Sequence, residues 1–439
     1  MTGETIGDRK RAPHRRWTIG VLLGAGVLVN YIDRISLSVA APQLQQEFHL
    51  SPEAVGILFS AFFWSYSIAQ LPGGLLLDRF GIKTVGRWGT FLWSAASAVT
   101  ALSSGYGGIF VARLLLGIAE APGMIGNQKA TGLWFPTHER SRSTAIFDSA
   151  AKFANVIGVP LVAFFVVGFG WRWGFAVTAF LSFLYFIAYF LMYRDPSQDG
   201  HLSREEHAYI LAGGATPEGQ PIGGQGKMLA YVLRKRKVWA HVVGYSAYGY
   251  SFYLFLTWLP NYLVDSLHMS ILKSAGILTI PWIFASLTDL LLGGFLVDYL
   301  IGRGLEETKV RKVAIACGMS CGLAVFGAAY TNDPFWALVW ITISLSGLSA
   351  AAPVASSIVS LISPRGAAAT VGGIVNLVNN LMGVAAPVIT GFIVGLTHSF
   401  AGAFLVAGLV LIVGIFSYLV VLGRIEPIPD PPAVVPATA

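Results

Sequence analysis

One pattern occurs twice in this chain, as LPGGLLLDR at residues 71–79 and as LLGGFLVDY at residues 291–299. Each copy places two adjacent glycines in an apolar run and then reaches an aspartate, Asp78 or Asp298. Small residues let helices approach closely in a membrane, and internal repeats occur in membrane proteins built from two similar halves. The repeat therefore predicts two related bundles of helices.

The composition excludes an ordinary soluble protein. Of the 439 residues, 55% are hydrophobic and only 12% are Asp, Glu, Lys or Arg, about half of the roughly 25% charged share of a soluble domain. The net charge is +7, but the basic residues are dispersed between apolar segments, so no nucleic-acid partner is expected. Cys317 and Cys321 are the two cysteines, too few for a disulfide framework.

Twelve apolar segments, each long enough to cross a bilayer, follow one another along the chain. They form two groups of six on either side of a polar stretch. The predicted spans lie near residues 17–41, 54–77, 87–104, 106–131, 142–168, 172–193, 238–264, 272–297, 312–330, 334–361, 366–394 and 399–422. We therefore expect an all-α membrane protein with two pseudo-symmetric six-helix bundles in contact with lipid.

These spans divide the chain into five parts. We predict a cytoplasmic N-terminal segment at 1–16, a first six-helix bundle at 17–193, a cytoplasmic linker at 194–237, a second six-helix bundle at 238–422 and a disordered cytoplasmic tail at 423–439.

The distribution of Lys and Arg predicts the orientation. Of the 29 basic residues, 23 lie in the termini or in loops on the same side as the termini, whereas only Arg172 and Lys273, at the ends of their spans, lie on the opposite side. Because cytoplasmic loops carry the excess of basic residues, both termini and the linker are expected in the cytoplasm. The basic N-terminal run resembles the start of a signal peptide, but Asp33 and Arg34 precede any cleavage site. This favours an uncleaved first helix.

Ionisable residues inside the spans are the strongest indication of function. Each costs roughly 2.5 to 3.5 kcal/mol at mid-bilayer, so they must face one another or a water-filled cavity. These residues are Asp33, Arg34, Arg113, Glu120, Asp148 and Lys152. Intramembrane charges indicate a transport path. The alternative is a set of buried ion pairs that only fixes the helix register.

The chain shows no sign of an enzyme or an ATP-driven pump. Residues 223–227 are rich in glycine but lack the spacing of a phosphate-binding loop. No His, Cys and Asp cluster has metal-ligand spacing, and no serine has a neighbouring base. We therefore expect an ion gradient to supply the energy, with protons as the coupling ion and no other cofactor or metal.

Several motifs resemble known carriers. GLLLDRFGIK at 74–83 resembles the signature loop of the major facilitator superfamily. A closer resemblance, to the anion:cation symporter family, rests on NYIDR at 30–34, RLLLGIAEAP at 113–122, WFPTHER at 134–140, WLPNYL at 258–263 and NLVNNLMG at 376–383. That family includes bacterial proton-coupled galactonate, glucarate and hexuronate permeases, and relatives such as sialin and the vesicular glutamate transporters.

The resemblance implies roles for individual residues. Tyr31, Arg34, Tyr66 and Asn380 match positions that contact the carboxylated sugar. Asp33 and Glu120 match the proton-carrying acids, and Arg113 matches the arginine that exchanges partners with Asp33. Gating on the cytoplasmic side is expected from Asp78, Arg79, Lys83 and Asp298.

Lys152 departs from the galactonate-type pattern and leaves two interpretations open. As a second fixed cation it would bind a dicarboxylate or a bulkier acid, whereas as a partner of Asp148 four residues earlier it would be structural. In the seventh span we expect one of Tyr250 and Tyr253 to line the site, although tyrosine also forms the ordinary interface belt.

Together these features predict a monomeric bacterial inner-membrane carrier that imports an organic anion with protons by alternating access. A sugar acid, meaning an aldonate, an aldarate or a hexuronate, is the favoured substrate. The alternatives are a permease for aromatic or dicarboxylic acids and a membrane receptor for an anion. The sequence disfavours the receptor because it has no sizeable soluble output domain.

Overall fold

The computed structural model describes residues 14–136, 139–215, 225–331, 333–364 and 367–430. The side chains of Asp148 and Asp298 lie outside the described part of the chain. Every regular element in these ranges is helical. The α-helices are α1 (Arg15–Phe48), α2 (Pro52–Leu102), α3 (Tyr106–Trp134), α4 (Arg140–Phe169), α5 (Trp171–Met192), α6 (Arg204–Ala212), α7 (Gln225–Val232), α8 (Arg236–Asn261), α9 (Ile271–Thr288), α10 (Val297–Gly302), α11 (Glu307–Gly322), α12 (Val325–Ala329), α13 (Pro334–Ile362), α14 (Ala368–Thr397) and α15 (Ala401–Phe416). Single π-helical stretches continue α8 (Tyr262–Ser266), α9 (Asp289–Leu296) and α15 (Ser417–Val421).

The described helices account for the twelve predicted crossings. Ten of them are long and apolar enough to span a membrane. One of the ten, α2, has 51 residues and is interrupted at Gly81, where φ is 79° and ψ is 163°, so it contains two spans. Only glycine adopts such a backbone conformation readily. The polar and tyrosine-rich α8 is not among the ten, but its 26 residues are long enough to cross.

The two bundles are α1 to α5, called the first half, and α8 to α15, called the second half. The chain enters α1 at Arg15 and returns to the same end of the molecule in the linker that carries α6 and α7. We call this end the terminal side. The opposite end, where α1 ends and α2 begins, is the distal side.

The linker is attached to the first half by buried ion pairs. Arg16, at the start of α1, donates from Nε to Glu139 Oε2 at 2.7 Å and from Nη1 to Glu206 Oε1 at 2.9 Å. Glu206 lies on α6 and is completely buried. Arg15 binds Asp199 at 2.8 Å. Because buried charges are stable only when paired, these contacts set the position of α1.

The two halves meet through α2 with α14, α4 with α9 and α1 with α8. On the distal side, Asn261 Nδ2 donates to Gln45 Oε1 at 2.6 Å. Gly56 on α2 lies so close to α14 that an added Cβ would be 2.5 Å from the carbonyl oxygen of Pro387. Glycine is therefore required at this crossing. The described contacts leave the distal side closed.

Candidate functional site

Arg34 occupies the middle of α1 inside a cage of aromatic rings. Its guanidinium carbon is 4.6 Å from the ring centre of Phe62 and 4.9 Å from those of Tyr31 and Tyr66. Its side chain is 7% exposed. Aromatic faces attract a cation and also remove it from water. The sequence correctly placed Tyr31 beside Arg34 on one helix face, but it did not single out Phe62.

Glu120 is the ionic partner of Arg34. Nε of Arg34 donates to Oε2 of Glu120 at 3.2 Å, and the Glu120 side chain is completely buried. Among the described residues, the hydrogen bonds of Arg34 reach only Glu120, so its two terminal nitrogens remain able to donate to an anion. Oε1 of Glu120 has no hydrogen-bond partner in the part of the chain that the structure describes. A ligand carboxylate at Arg34 would therefore compete with Glu120.

Asp33 points away from Arg34 and into the first half. Its carboxylate accepts hydrogen bonds from the indole nitrogen of Trp93 and from Oγ of Ser182, the latter at 2.5 Å. Within the described ranges, Oδ1 of Asp33 is buried without a hydrogen-bond partner. Neither Trp93 nor Ser182 was among the predicted residues, because neither side chain is charged and both lie far from Asp33 in the chain.

Arg113 does not bind the carboxylate of Asp33, which was its expected partner. Its Nη1 donates instead to the backbone carbonyl of Asp33 at 3.0 Å, and its Nη2 donates to Oγ of Ser36 at 3.1 Å. The reason is geometric, since Trp93 and Ser182 hold the Asp33 carboxylate on another side of α1. Arg113 thus binds the backbone of the helix that carries Asp33 and Arg34.

The second half faces Arg34 with neutral side chains. The hydroxyl of Tyr253 donates to Oδ1 of Asn380 at 3.2 Å. The Tyr253 ring packs on Phe63 of the first half with ring centres 4.7 Å apart. Nδ2 of Asn380 is buried and receives no hydrogen-bond partner from the described ranges. Of the two candidate tyrosines, Tyr253 is the one that reaches this interface, while the buried hydroxyl of Tyr250 has no hydrogen-bond partner among the described residues.

A cleft of about 620 Å³, including its open mouth, extends from Arg34 and Glu120 toward the terminal side. Its lining includes the amides of Asn30 and Asn127 and the ring of Tyr189. All of its lining residues belong to the first half. The cleft therefore connects the Arg34 and Glu120 pair to the terminal side through a mostly apolar lining that carries a few polar groups.

Lys152 has a partner that neither predicted interpretation included. It forms an ion pair with Asp289, which follows α9 in the second half. The Asp148 side chain lies outside the described part of the structure, so its predicted pairing with Lys152 stays a prediction. Asp289 could have been found in the sequence as a single acid in the otherwise apolar run 289–293.

Three of the predicted gating residues are described, and their described contacts lie within the first half and the linker. Asp78 pairs with Lys129 on α3, within the first half. Lys83 donates to Oε1 of Gln198 at 2.8 Å, and Arg79 lies over the Phe80 ring. The predicted counterpart of Asp78, Asp298, has no described side chain. The expected latch on the terminal side therefore stays a prediction.

Comparison with known proteins identifies the family. Residues 23–387 match the model of the Major Facilitator Superfamily. The chain belongs to the major facilitator superfamily. It is accordingly a multi-pass membrane transporter and not an enzyme, and proteins with this fold consist of two six-helix bundles.

Relatives and solved structures agree with this assignment. The chain is 40% identical to "Uncharacterized transporter YybO" of Bacillus subtilis (strain 168), over 95% of this chain and 96% of the relative. It is 32% identical to "Probable galactarate/D-glucarate transporter GudP" of Escherichia coli (strain K12), over 95% of both proteins. It is 29% identical to "D-galactonate transporter" of Escherichia coli O6:H1, over 94% of this chain and 96% of the relative.

The solved structures show the fold alone. A bacterial homolog of the human lysosomal transporter Spinster, in an inward-facing conformation, gives a TM-score of 0.73 at 16% identity, covering 94% of this chain and 97% of that chain. A D-xylose-proton symporter gives 0.72 at 14% identity, covering 93% and 98%.

Proposed function

We propose that the protein is a proton-coupled symporter that imports a sugar acid across the bacterial inner membrane by alternating access. The observation that carries this proposal is the Arg34 cage, in which an arginine with a buried side chain has Glu120 as its ionic partner. The relatives named for galactarate, glucarate and galactonate support the substrate class. No output domain is predicted that would support a receptor.

Substrate binding exchanges one carboxylate for another at Arg34. The carboxylate of the sugar acid replaces that of Glu120 on the guanidinium, and Glu120 takes up one proton. The membrane site keeps the same net charge before and after the exchange. Arginine is suited to this step because its planar fork holds a carboxylate through two hydrogen bonds. The ligand-free ion pair thereby links anion binding to proton binding.

Asp33 provides a second acid for coupling. It precedes Arg34 in the chain, and its Oδ1, which accepts no hydrogen bond from the residues that the structure describes, can take a proton. Each charge that crosses the membrane is worth about 2.3 kcal/mol per 100 mV. A monoanion with one proton is electroneutral, so a second proton lets the membrane potential drive uptake. Asp33 and Glu120 together supply two proton sites.

The described state is closed on the distal side. Gln45 and Asn261 join α1 to α8, while α2 packs closely on α14 at Gly56. With the termini in the cytoplasm, as the basic loops favour, this state is closed toward the periplasm and releases protons and substrate through the cytoplasmic cleft. Import then requires the halves to rock about the central site so that the distal side opens.

Uptake into proteoliposomes tests this proposal. Purified protein should accumulate labelled galactonate when the medium outside is acidic, and a protonophore should abolish the accumulation. The Arg34→Lys variant should fail in the same assay, whereas Arg172→Lys, a change at an exposed distal arginine, should behave as the wild type. Binding without accumulation in the wild-type protein would indicate a receptor and refute the symporter.

A further inference from the structure

The ion pair of Lys152 and Asp289 connects the two halves of the molecule. Lys152 lies on α4 of the first half, and Asp289 is the first residue of the π-helical stretch after α9 in the second half. Their side chains are only 13% and 14% exposed. The neighbouring Thr288 donates to the carbonyl oxygen of Ser346 at 2.8 Å. This bond ties the Asp289 segment to α13, and π-helical stretches often occur at functional sites.

The pair lies at a depth similar to that of Arg34. Counted from the distal ends of their helices at about 1.5 Å per residue, Arg34 is about 21 Å deep, Lys152 about 26 Å and Asp289 about 27 Å. The helices that carry the two cations pack directly on each other, since an added Cβ at Gly158 on α4 would lie 2.8 Å from the side chain of Ile32 on α1. The Arg34 cage and the ion pair therefore lie on neighbouring helices at a similar depth.

The pair lies where the two halves move against each other. As the halves rock about the central site, α4 and α9 shift relative to each other, and this movement strains the contact between Lys152 and Asp289. A lone charge at mid-bilayer costs roughly 2.5 to 3.5 kcal/mol, so both charges need replacement partners at that moment. Lys152 needs an anion, and Asp289 needs a proton.

We propose that Lys152 is the subsite for the second carboxylate of a dicarboxylate sugar acid, and that Asp289 occupies this subsite when the substrate is absent. The inference rests on the proposed function, in which Arg34 binds the first carboxylate. In the exchange, the substrate carboxylate replaces that of Asp289 on the Lys152 ammonium, and Asp289 takes up one proton. A dianion therefore opens the contact between the halves and brings a third proton site into use.

Galactarate and galactonate form a matched pair of probes. They share one carbon chain and differ at one end, where galactarate has a carboxylate and galactonate a hydroxymethyl group. A hydroxymethyl group cannot replace a carboxylate on Lys152. The wild-type protein should therefore bind galactarate more tightly than galactonate in a calorimetric titration.

The Lys152→Gln variant tests the subsite directly. It should weaken galactarate binding about tenfold, which corresponds to the loss of one charge-assisted hydrogen bond, and change galactonate binding less than about threefold. The Lys152→Gln/Asp289→Asn double variant removes both charges and leaves no lone ion in the membrane. It should keep galactonate binding and lose the preference for galactarate. Lys237→Gln, which removes an exposed ion pair with Glu426, is the control and should change neither.

Three outcomes separate the inference about Lys152 from the proposed function. Equal weakening of galactarate and galactonate in both variants would overturn the subsite and make the pair a structural bridge. A wild-type protein that binds neither acid would instead overturn the proposed function, and the subsite with it. Arg34-dependent binding of galactonate without any preference for galactarate refutes only the inference about Lys152.

Discussion

The two halves have the same architecture but contribute different chemistry to the space between them. At mid-depth the first half supplies Arg34, Glu120 and Lys152. In the described part of the second half, the facing side chains are the neutral Tyr253 and Asn380, with Asp289 as the charged exception. Two halves with the same fold therefore need not have the same function, because the helices occupy equivalent positions while the side chains at those positions differ. We expect the first half to bind the carboxylates of the substrate, and the second half to contribute packing and neutral hydrogen bonds.

The largest expected effect of a single change is at Arg34. Arg34→Ala should reduce sugar-acid affinity at least about 100-fold, because two charge-assisted hydrogen bonds are lost. The Arg34→Lys variant should have little more affinity than Arg34→Ala, since an ammonium cannot make the forked contact. Equilibrium binding of the sugar acid to purified protein measures the affinity of both variants. Near-normal affinity in the lysine variant would contradict the forked geometry.

Variants of the two acids in the first half should lose proton coupling but keep substrate binding. Asp33→Asn and Glu120→Gln each mimic a permanently protonated state, so both should abolish proton-driven accumulation while substrate exchange persists. Accumulation and counterflow measured on the same proteoliposomes distinguish the two activities. Arg113 should stay in place in Asp33→Asn, because it binds the backbone carbonyl of residue 33 and not its carboxylate. A Glu120→Gln protein that still concentrates substrate would leave Glu120 only a structural role.

The contact between the halves should be weakened by a larger side chain at position 56. In Gly56→Ala the new methyl group would meet the carbonyl oxygen of Pro387, and overpacking of this kind typically costs about 1 to 3 kcal/mol. The distal side should therefore open more often, which distance measurements between spin labels on α2 and α14 would detect. Gly276→Ala is the control, since nothing lies within 4 Å of its added Cβ. Equal distances in both variants would contradict the tight crossing.

The smallest effect is expected in the second half. Tyr253→Phe removes only the hydroxyl that donates to Asn380, so sugar-acid affinity should fall about two- to tenfold, the value of a neutral hydrogen bond. Affinity measured with galactonate tests this change. A loss of affinity as large as that expected for Arg34→Ala would contradict the different roles assigned to the two halves.

The sequence by itself determined the features that depend on neighbouring residues. Spans follow from runs of about 20 apolar residues, and the Tyr31 and Arg34 pair follows from helical spacing. The intramembrane charges were also visible, because any charge in an apolar run is costly.

Only the tertiary structure decided which of these residues meet. The partner of Lys152 is Asp289, well over 100 positions away, and the Asp33 carboxylate is held by Trp93 and Ser182 from two other spans. Helical periodicity specifies the face on which a side chain lies, but not the helix that packs against that face. That choice depends on how the helices rotate and cross within each half and between the halves, which is a property of the assembled bundle.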